Sequence, residues 1–498
     1  MMMRFLLCIS ATLGVSLGKK FAGTPHTPLL LRLFFSLIGL AGIASWWLSS
    51  SDPTRLHTWE LYHHYLGARY YTELRYDGLY LCSLAVLEQR APSTLAEIGM
   101  VRDLATNTLQ TLPDVLPLAE ACARRFSPST WETFSDEVMS FKQLLGEKWV
   151  GLFRDHGFNP SPLWVLVART LIPDGPVSVD TLRILSLVDV GLLGAMWAII
   201  LWSFPRVCFA VAAVFWGTNG LGSFAWTGGA FLRHDWLFAT VAAVALLRKG
   251  RWSIAGALTA YATGIRVFPA LLAVGIGIAA IARKENRAAA LRFGGSFVLA
   301  GFALVAASVT SLGPDSWRDF RDNLRKHVDT RAGNMVGLPS LVDNILECRL
   351  AGLGKPDGTC EPPERISSSN FKEIRQAIVL VISLAFLAWL GWASRWTTVD
   401  EAAILAFGLF PLATSASSYY YEVFLLFGLL CTQPWVGVGL LTLGLLLDVV
   451  VAAISPPNKV YLVASILVVQ FVVLLPALFN RARARAVANA PREDHLGS

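Results

Sequence analysis

Residues 182–202 read LRILSLVDVGLLGAMWAIILW, an apolar stretch of the length at which an α-helix crosses the hydrocarbon core of a bilayer. Similar stretches recur along the chain. Hydrophobic residues make up 54% of the 498 residues and charged residues only 15%, whereas soluble domains carry about 25% charged residues. The chain therefore has too little polar surface for a soluble protein of this size. We interpret it as an all-α polytopic membrane protein.

Twelve apolar stretches predict membrane crossings, within a range of 11 to 13. They lie at residues 29–49, 182–202, 207–224, 231–247, 253–264, 266–282, 291–311, 374–393, 400–416, 419–432, 435–454 and 459–479. Several are shorter than a full span, as expected of broken helices that line a cavity. The segment 1–28 is either a cytoplasmic N-terminus or an extra anchor.

The basic residues between these stretches predict the orientation, because cytoplasmic loops are rich in Lys and Arg. Basic clusters at 248–251 and 283–292 and the tail at 481–498 are then cytoplasmic. Two long loops, 50–181 and 313–373, fall together on the extracytoplasmic side of a single transmembrane domain that covers residues 29–480. The net charge of +7 is modest and gives no indication of nucleic-acid binding.

Four of the seven cysteines lie in the two long loops, where an oxidising compartment favours disulfides. Cys348 and Cys360 enclose a short segment rich in Gly and Pro, and we expect a disulfide between them rather than two free thiols. A pair between Cys82 and Cys122 is the second option, with free thiols as its alternative. No CxxC motif or Cys/His spacing indicates a metal site.

The first loop begins with a candidate catalytic segment, TRLHTWELYHHYLGARYYTEL at 54–74. His57, Glu60 and His64 are spaced to share one helical face, and Asp52 suits the start of that helix. A carboxylate and imidazoles at the membrane surface suit acid–base chemistry on a lipid head group. The alternative is an ordinary solvated helix face.

Two further clusters carry charge beside apolar stretches. RDHGFNPSPLW at 154–164 holds Asp155 and His156, which either contribute to the same outer site or form a capped turn. FAWTGGAFLRHDWLF at 224–238 brings Arg233, His234 and Asp235 to the start of a membrane helix. Ionisable residues at such a position mark a functional site by default, and a helix N-terminus favours an anion. The alternative is an internal pair between the Arg and the Asp.

Arg266 lies between two apolar half-helices in TGIRVFPALL, where a lone Arg needs an anionic partner or a wet cavity. It could meet the same lipid phosphate as Arg233, or it could pair with Asp189 or Asp448.

The second long loop adds His327 and Asn334 as residues that could reach a sugar or a diphosphate. SSYYYEVFL at 417–425 adds Glu422 as a weaker candidate, because tyrosines are usual at a membrane interface.

A multi-spanning chain with a long first outer loop, an acid soon after the first span and arginines at outer helix ends resembles the GT-C superfamily of membrane glycosyltransferases. The strings ELYHHYLGARYYTEL, DHGFNPSPLW, WTGGAFLRHDWL and IRVFPALL are similar to bacterial members near the polyprenyl-phosphate-mannose-dependent branch. The resemblance covers residues 29–480 and implies a GT-C-like bundle. Superfamily members commonly place an Asp where this chain has Glu60, so Asp52 and Asp155 are rivals for its role.

The resemblance implies an inverting transfer of a mannose-like sugar from a polyprenyl-phosphate donor to a hydroxyl acceptor on a glycolipid, polysaccharide or protein, without a cofactor. Inversion needs one carboxylate base, and groups at the phosphate stabilise its developing charge. Glu60 would be the base, and the phosphate would be bound by Arg233, Arg266 and His234. The residues expected to position the substrates are His57, His64, Asp155, His156, Asp235, His327 and Asn334.

This interpretation predicts a bacterial cytoplasmic-membrane protein whose site faces the periplasm or exterior. A transporter is the main alternative, since transporters also use broken helices and intramembrane charges, but the sequence shows no internal repeat of the kind they commonly carry. A lipid-linked glycan ligase, sharing the lipid phosphate site, is a further alternative.

Overall fold

In the computed structural model the described residues fold mostly into helices. The structure describes residues 2–18, 28–50, 52–328, 330, 333–346, 369–430, 432–455 and 457–480. Within these ranges, the β-strands form two short antiparallel pairs. They are Met100–Asp103 with Thr108–Thr111, and Met335–Val336 with Ala416–Ser417. The predicted all-α class is confirmed.

Six helices of the described residues are long and apolar enough to cross a membrane. They are Leu29–Trp47, Val179–Ser203, Lys284–Leu312, Phe371–Ala393, Pro434–Ala453 and Lys459–Leu478. The fourth and sixth extend to Ser369 and Pro457 at their N-terminal ends, and the third begins with a 3₁₀ turn, Lys284–Asn286, before the α-helix Arg287–Leu312. The chain is therefore a membrane-embedded protein by the length and composition of its helices.

The other apolar helices are short. They are Met2–Gly18, Arg206–Thr218, Gly220–Gly222, Phe224–Thr227, Asp235–Arg248, Trp252–Ile265, Phe268–Ala270, Leu271–Ala282, Val399–Leu405, Ala406–Gly408, Leu409–Ala413 and the 3₁₀ helix Ser418–Leu429. A helix of 14 residues, such as Asp235–Arg248, is about 21 Å long, whereas the hydrocarbon core is about 30 Å thick. Most of these segments therefore cannot span alone.

The predicted count of 11 to 13 crossings is consequently not reached. The described residues contain six spans, or seven if Arg206–Thr218 and Gly220–Thr227, bent by 72° at their junction, are taken as one broken span. The prediction is wrong because several apolar segments are buried inside the protein. From Cys208 onward every residue of Arg206–Thr218 is buried, so its apolar composition reflects contact with protein. Composition alone does not separate that environment from lipid.

The helix Arg206–Thr218 lies at the centre of the bundle. It packs against Leu29–Trp47, the 3₁₀ helix Ser418–Leu429, Pro434–Ala453 and Met2–Gly18. A Cβ on Gly217 would lie 2.0 Å from the carbonyl oxygen of Gly42, so two glycines allow the close approach that small residues give membrane helices.

The N-terminal helix is also part of the bundle, since Arg4 forms an ion pair with Asp448. The predicted cytoplasmic tail at 481–498 lies outside the described residues.

The segment between the first two long spans, residues 52–177, folds into helices of its own and is here called the cap. Its helices are Thr58–Leu61, Tyr62–Leu66, Gly67–Arg69, Tyr71–Leu74, Gly78–Arg90, Pro92–Ala96, Leu112–Ala119, Cys122–Arg125, Pro128–Leu145, Gly146–Lys148, Trp149–Leu152 and Pro162–Leu171. Cys82 and Cys122 form a disulfide, which settles the pairing that the sequence left open. Cys348 and Cys360, the other expected pair, lie outside the described residues.

The cap packs on the bundle through its last helix, Pro162–Leu171, which contacts Trp252–Ile265 and Arg287–Leu312. The indole of Trp164 donates to the carbonyl oxygen of Leu232 at 3.0 Å. The second long loop contributes the helices Ser316–Val328 and Leu338–Asn344.

Ser316–Val328 is hydrogen-bonded to the cap. Lys326 Nζ donates to Leu104 O at 2.6 Å, and Asn323 Nδ2 donates to Asn159 Oδ1 at 3.0 Å. The two long loops therefore lie together, as expected of loops on one side of a membrane.

Candidate functional site

The loop before the short helix Asp235–Arg248 is held by a carboxylate from the middle of a membrane span. Asp189, in Val179–Ser203, accepts hydrogen bonds through Oδ1 from the backbone nitrogens of Arg233 (2.8 Å) and His234 (3.0 Å). Its Oδ2 lies 2.8 Å from His234 Nδ1. All three residues are buried. A single acid therefore fixes the backbone that carries the predicted Arg-His-Asp cluster.

The first segment of the cap docks on the same loop. The backbone nitrogen of His57 donates to the carbonyl oxygen of Gly229 at 2.9 Å. Gly229 has a φ of +70°, and a Cβ there would lie 2.1 Å from the carbonyl oxygen of Arg55. Only glycine fits this conformation and this close approach without strain. The cap and the bundle are joined at this point by backbone alone.

The helix that carries Glu60 begins at Thr58, not near Asp52 as predicted. His57 caps it, with Nδ1 accepting from the backbone nitrogen of Glu60 at 3.2 Å. Asp52 is exposed and instead holds a turn, accepting from the backbone nitrogen and the hydroxyl of Thr54 at 2.8 and 2.7 Å. The Asp-Pro pair that suggested a helix start thus forms a turn ahead of it.

Glu60 lies at the meeting point of the cap and the bundle. Its Oε2 is 3.1 Å from Arg233 Nη1 and 3.0 Å from His64 Nδ1. The turn Tyr62–Leu66 is a π-helix, a local irregularity that is frequent at functional sites. The side chain of Glu60 remains 20% exposed, whereas that of Arg233 is 5% exposed. The carboxylate can therefore meet a ligand from solvent while its partner stays buried.

The charges of this cluster follow from its contacts. Burial raises the pKa of Glu60, but Arg233 and then His64 lower it by more, so the pKa lies well below its ordinary value. Burial lowers the pKa of His57, although Glu60 partly opposes this. At neutral pH the site therefore presents an ionised Glu60 beside a neutral His57, and Arg233 carries the balancing positive charge.

Two arginines and two tyrosines of the bundle lie next to one another at the site. The guanidinium carbon of Arg233 lies 4.2 Å from the centre of the Tyr419 ring, and that of Arg266 lies 5.3 Å from the Tyr420 ring. The two tyrosine rings are 4.7 Å apart. Buried Nη2 of Arg233 and Nε of Arg266 have no hydrogen-bond partner in the described part of the chain. Unused guanidinium donors of this kind suit an anion.

The alternative partners considered for these arginines are engaged elsewhere. Asp448 pairs with Arg4, and Asp189 holds His234 and the backbone before it. Asp235 accepts from the hydroxyl of Tyr261 at 2.8 Å and from the backbone nitrogen of the next residue at 2.7 Å. Asp235 is therefore tied to the bundle instead of pairing with the Arg two residues before it.

His234 lies deeper inside the protein than a residue that binds the donor phosphate would lie. Its ring is fully buried, with centroids 5.9 and 5.4 Å from Trp46 and Trp216. One ring nitrogen faces Asp189, and Nε2 lies 3.6 Å from Oε2 of Glu422. The residue joins two buried carboxylates behind the site, and Glu422, a weak candidate from sequence, belongs to this inner group.

The remaining candidates lie in the loops around Glu60. Asp155 accepts from the indole of Trp59 at 2.6 Å, the residue directly before Glu60. His156 Nδ1 lies 3.0 Å from Oδ1 of Asn107, and its ring centroid is 5.7 Å from that of His327. Of the three rival acids, Glu60 is the one that the structure pairs with an arginine of the bundle.

Asn334 lies beside the tyrosines, because its carbonyl oxygen accepts from the backbone nitrogen of Ser418 at 2.9 Å. Ser418 begins the 3₁₀ helix that contains Tyr419 and Tyr420. The sequence pattern favours an interface role for these tyrosines and does not indicate their contact with the arginines. The available signal was three consecutive tyrosines followed by an acid.

In the described ranges, no group of three or more His, Cys, Asp or Glu side chains is arranged to hold a metal ion. Comparison with protein-family models finds no matching family, and comparisons with curated proteins and with solved structures find no significant match.

Proposed function

We propose that this chain is an inverting glycosyltransferase, a hexosyltransferase that moves a mannose-like sugar from a polyprenyl-phosphate donor to a hydroxyl acceptor. The observation that carries the proposal is the contact between partly exposed Glu60 and buried Arg233, beside unused guanidinium donors of Arg233 and Arg266. A carboxylate base and an anion site thus lie together at the boundary between the cap and the membrane helices.

Glu60 has the properties required of the base. It is ionised, and 20% of its side chain is exposed. His57 caps the start of its helix, and His64 contacts one of its carboxylate oxygens. Inversion requires one such carboxylate to accept the proton of the acceptor hydroxyl as the new bond to the sugar forms. The lipid phosphate departs with the electrons of the old bond, so the transfer requires no general acid.

Arg233 and Arg266 supply the charge needed at the leaving group. As the bond between sugar and phosphate breaks, negative charge grows on the phosphate, and donors fixed in advance stabilise it without reorganisation. Tyr419 and Tyr420 hold both guanidinium groups from one side. The backbone of Arg233 is in turn fixed by Asp189. The polyprenyl chain would lie along the apolar helices next to this site.

The orientation is part of the proposal. A disulfide between Cys82 and Cys122 is typical of an oxidising compartment, which supports an extracytoplasmic cap. We therefore propose a bacterial cytoplasmic membrane with the site facing the periplasm or exterior. The proposal includes a GT-C-like bundle in which short buried helices line the site beside the long spans.

The test uses purified protein in detergent, a panel of radiolabelled polyprenyl-phosphate sugars and a membrane-lipid extract as acceptor. Wild type is compared with Glu60→Gln and with Glu120→Gln, a control at an exposed position of the cap. We expect transfer, or slow donor hydrolysis, by wild type and the control and its loss in Glu60→Gln. If wild type consumes no donor, the glycosyltransferase proposal fails, and flux assays for transport become the next step.

A further inference from the structure

Resting on the proposed function, we propose that Glu60 and the donor phosphate compete for Arg233, so that the base is released only when a lipid phosphate is bound. The carboxylate would then be both the catalytic group and the resting partner of the phosphate-binding arginine. This competition would regulate the proposed site, and binding measurements alone can test it.

Glu60 shares one carboxylate oxygen between two partners. Its Oε2 lies 3.1 Å from Arg233 Nη1 and 3.0 Å from His64 Nδ1. A carboxylate held in this way is a weak proton acceptor, because the arginine stabilises its ionised form. The arrangement described by the structure thus binds the base to the residue that the donor would need.

Arg233 has capacity for another anion. Its side chain is 5% exposed, and its Nη2 has no hydrogen-bond partner among the described residues. A phosphate group offers several acceptor oxygens and forms paired hydrogen bonds with a guanidinium. Arg266 contributes a second buried donor without a partner in the same ranges. A phosphate bound here would therefore be attracted by two arginines, whereas Glu60 contacts Arg233 and His64 among the described residues.

A bound phosphate would change the basicity of the carboxylate. A phosphate bound to Arg233 would weaken the attraction between Arg233 and Glu60, and it would add negative charge near the carboxylate. Both changes favour protonation of the carboxylate, and they strengthen it as a base. The residue becomes able to accept the proton of a hydroxyl at the moment when the sugar donor is in place.

The experiment measures the affinity of polyprenyl phosphate, which carries no sugar, for the full-length protein in detergent. Removal of the competing carboxylate in Glu60→Gln should tighten binding about tenfold, equivalent to about 1.4 kcal/mol. Glu120→Gln should bind as wild type does, and Arg233→Gln should bind at least tenfold more weakly. If correctly folded Glu60→Gln binds with wild-type or weaker affinity, the competition is refuted.

A second variant guards against misfolding of the first. Glu60→Asp keeps the charge but shortens the side chain, so it weakens the contact with Arg233, and we expect affinity between those of wild type and Glu60→Gln. Affinity below that of wild type in Glu60→Asp would overturn the proposal. Inorganic phosphate distinguishes the ligand source. We expect it to bind far more weakly than the lipid, and equal affinity would refute a lipid phosphate as the ligand.

The outcome separates this inference from the proposed function. Tighter lipid binding by Glu60→Gln, without sugar transfer by wild type from any donor, would support the competition and refute the transferase. Transfer that depends on Glu60, together with unchanged lipid affinity in Glu60→Gln, would support the transferase and refute the competition.

Discussion

Asp189 is the residue on which the geometry of the site most depends. It lies inside a membrane span, where a charged side chain is costly unless its hydrogen bonds are satisfied. Here it accepts from two successive backbone nitrogens and contacts the ring of His234. Both of its carboxylate oxygens are engaged in these contacts, so its effect on the proposed transfer would pass through the placement of Arg233.

We predict that Asp189→Asn lowers transfer at least tenfold and raises the KM for the donor. A hydrogen bond to a charged group contributes about 1.5–3 kcal/mol, and about 1.4 kcal/mol changes a rate tenfold. The matched control is Asp180→Asn, in the first turn of the same helix, whose side chain is 84% exposed. Steady-state kinetics with both variants provide the measurement, and Asp189→Glu should recover part of the loss. Wild-type KM in Asp189→Asn would contradict this role.

At the scale of elements, the cap meets the bundle through a backbone contact at Gly229. The contact sets the distance between Glu60, which belongs to the cap, and Arg233, which belongs to the bundle. A change in this contact should alter catalysis without removing any charged group.

We predict that Gly229→Ala reduces transfer at least tenfold. The new Cβ would lie 2.1 Å from Arg55 O, in a conformation with positive φ that costs an L-residue about 1–2 kcal/mol. The start of the cap must then move away from the loop. Gly191→Ala is the control, because a Cβ there meets nothing within 4 Å. Transfer assays on membranes matched for protein content would decide it, and full activity in Gly229→Ala would be inconsistent with the docking described.

A second contact between elements depends on a buried histidine, His327. Burial, together with the nearby His156, Lys326 and Arg102, lowers the pKa of His327 to about 3. The side-chain nitrogen of Asn107 lies 3.3 Å from Nδ1 of His327, and the side-chain oxygen of Asn107 lies 3.0 Å from Nδ1 of His156. The folded state thus keeps His327 neutral, whereas the unfolded chain binds a proton near pH 6.5.

We therefore expect the contact between helix Ser316–Val328 and the cap to have its full stability above pH 6.5. This stability should fall as the pH falls toward 3. The loss is at most about 1.4 kcal/mol per pH unit. Hydrogen exchange of this helix at pH 7.5 and 5 measures it, after correction for the intrinsic pH dependence of exchange. His327→Gln should reduce the pH dependence. Identical protection of wild type at both pH values would argue against it.

At the scale of the whole molecule, the long spans carry a central group of short helices that hold the charged site. The cap and the second long loop lie together at one end of this group, joined by hydrogen bonds of Lys326 and Asn323. The proposed transfer at this boundary would have access both to a lipid in the membrane and to an acceptor from water.

The proposed orientation predicts different labelling at two exposed positions. Ser129→Cys in the cap should react with a membrane-impermeant maleimide in intact spheroplasts, whereas Lys284→Cys should react only after lysis. Both positions are exposed, so reactivity reports the side of the membrane. The parent chain gives the background from its native cysteines. Labelling of Lys284→Cys in intact cells, without labelling of Ser129→Cys, would reverse the orientation.

The all-α membrane class is predictable from the sequence, and so are several of the charged residues that the structure brings together. The sequence singles out Glu60 by its helical spacing with His57 and His64, and Arg233 and Arg266 because ionisable groups within apolar stretches are costly. The predicted number of crossings is wrong because residues buried in protein and residues that face lipid are apolar in the same way. The positions of Asp189 and Tyr419 depend on contacts between distant parts of the chain, which one sequence does not reveal.

The most direct measurement of the central claim is single-turnover transfer of sugar from radiolabelled polyprenyl-phosphate donor, at saturating donor, by wild type and Glu60→Gln. General-base catalysis contributes about 10²- to 10⁴-fold. The account predicts a loss in this range in Glu60→Gln while polyprenyl phosphate remains bound, and wild-type rates in Glu120→Gln. Transfer by Glu60→Gln at a rate close to that of wild type would show that Glu60 is not the base.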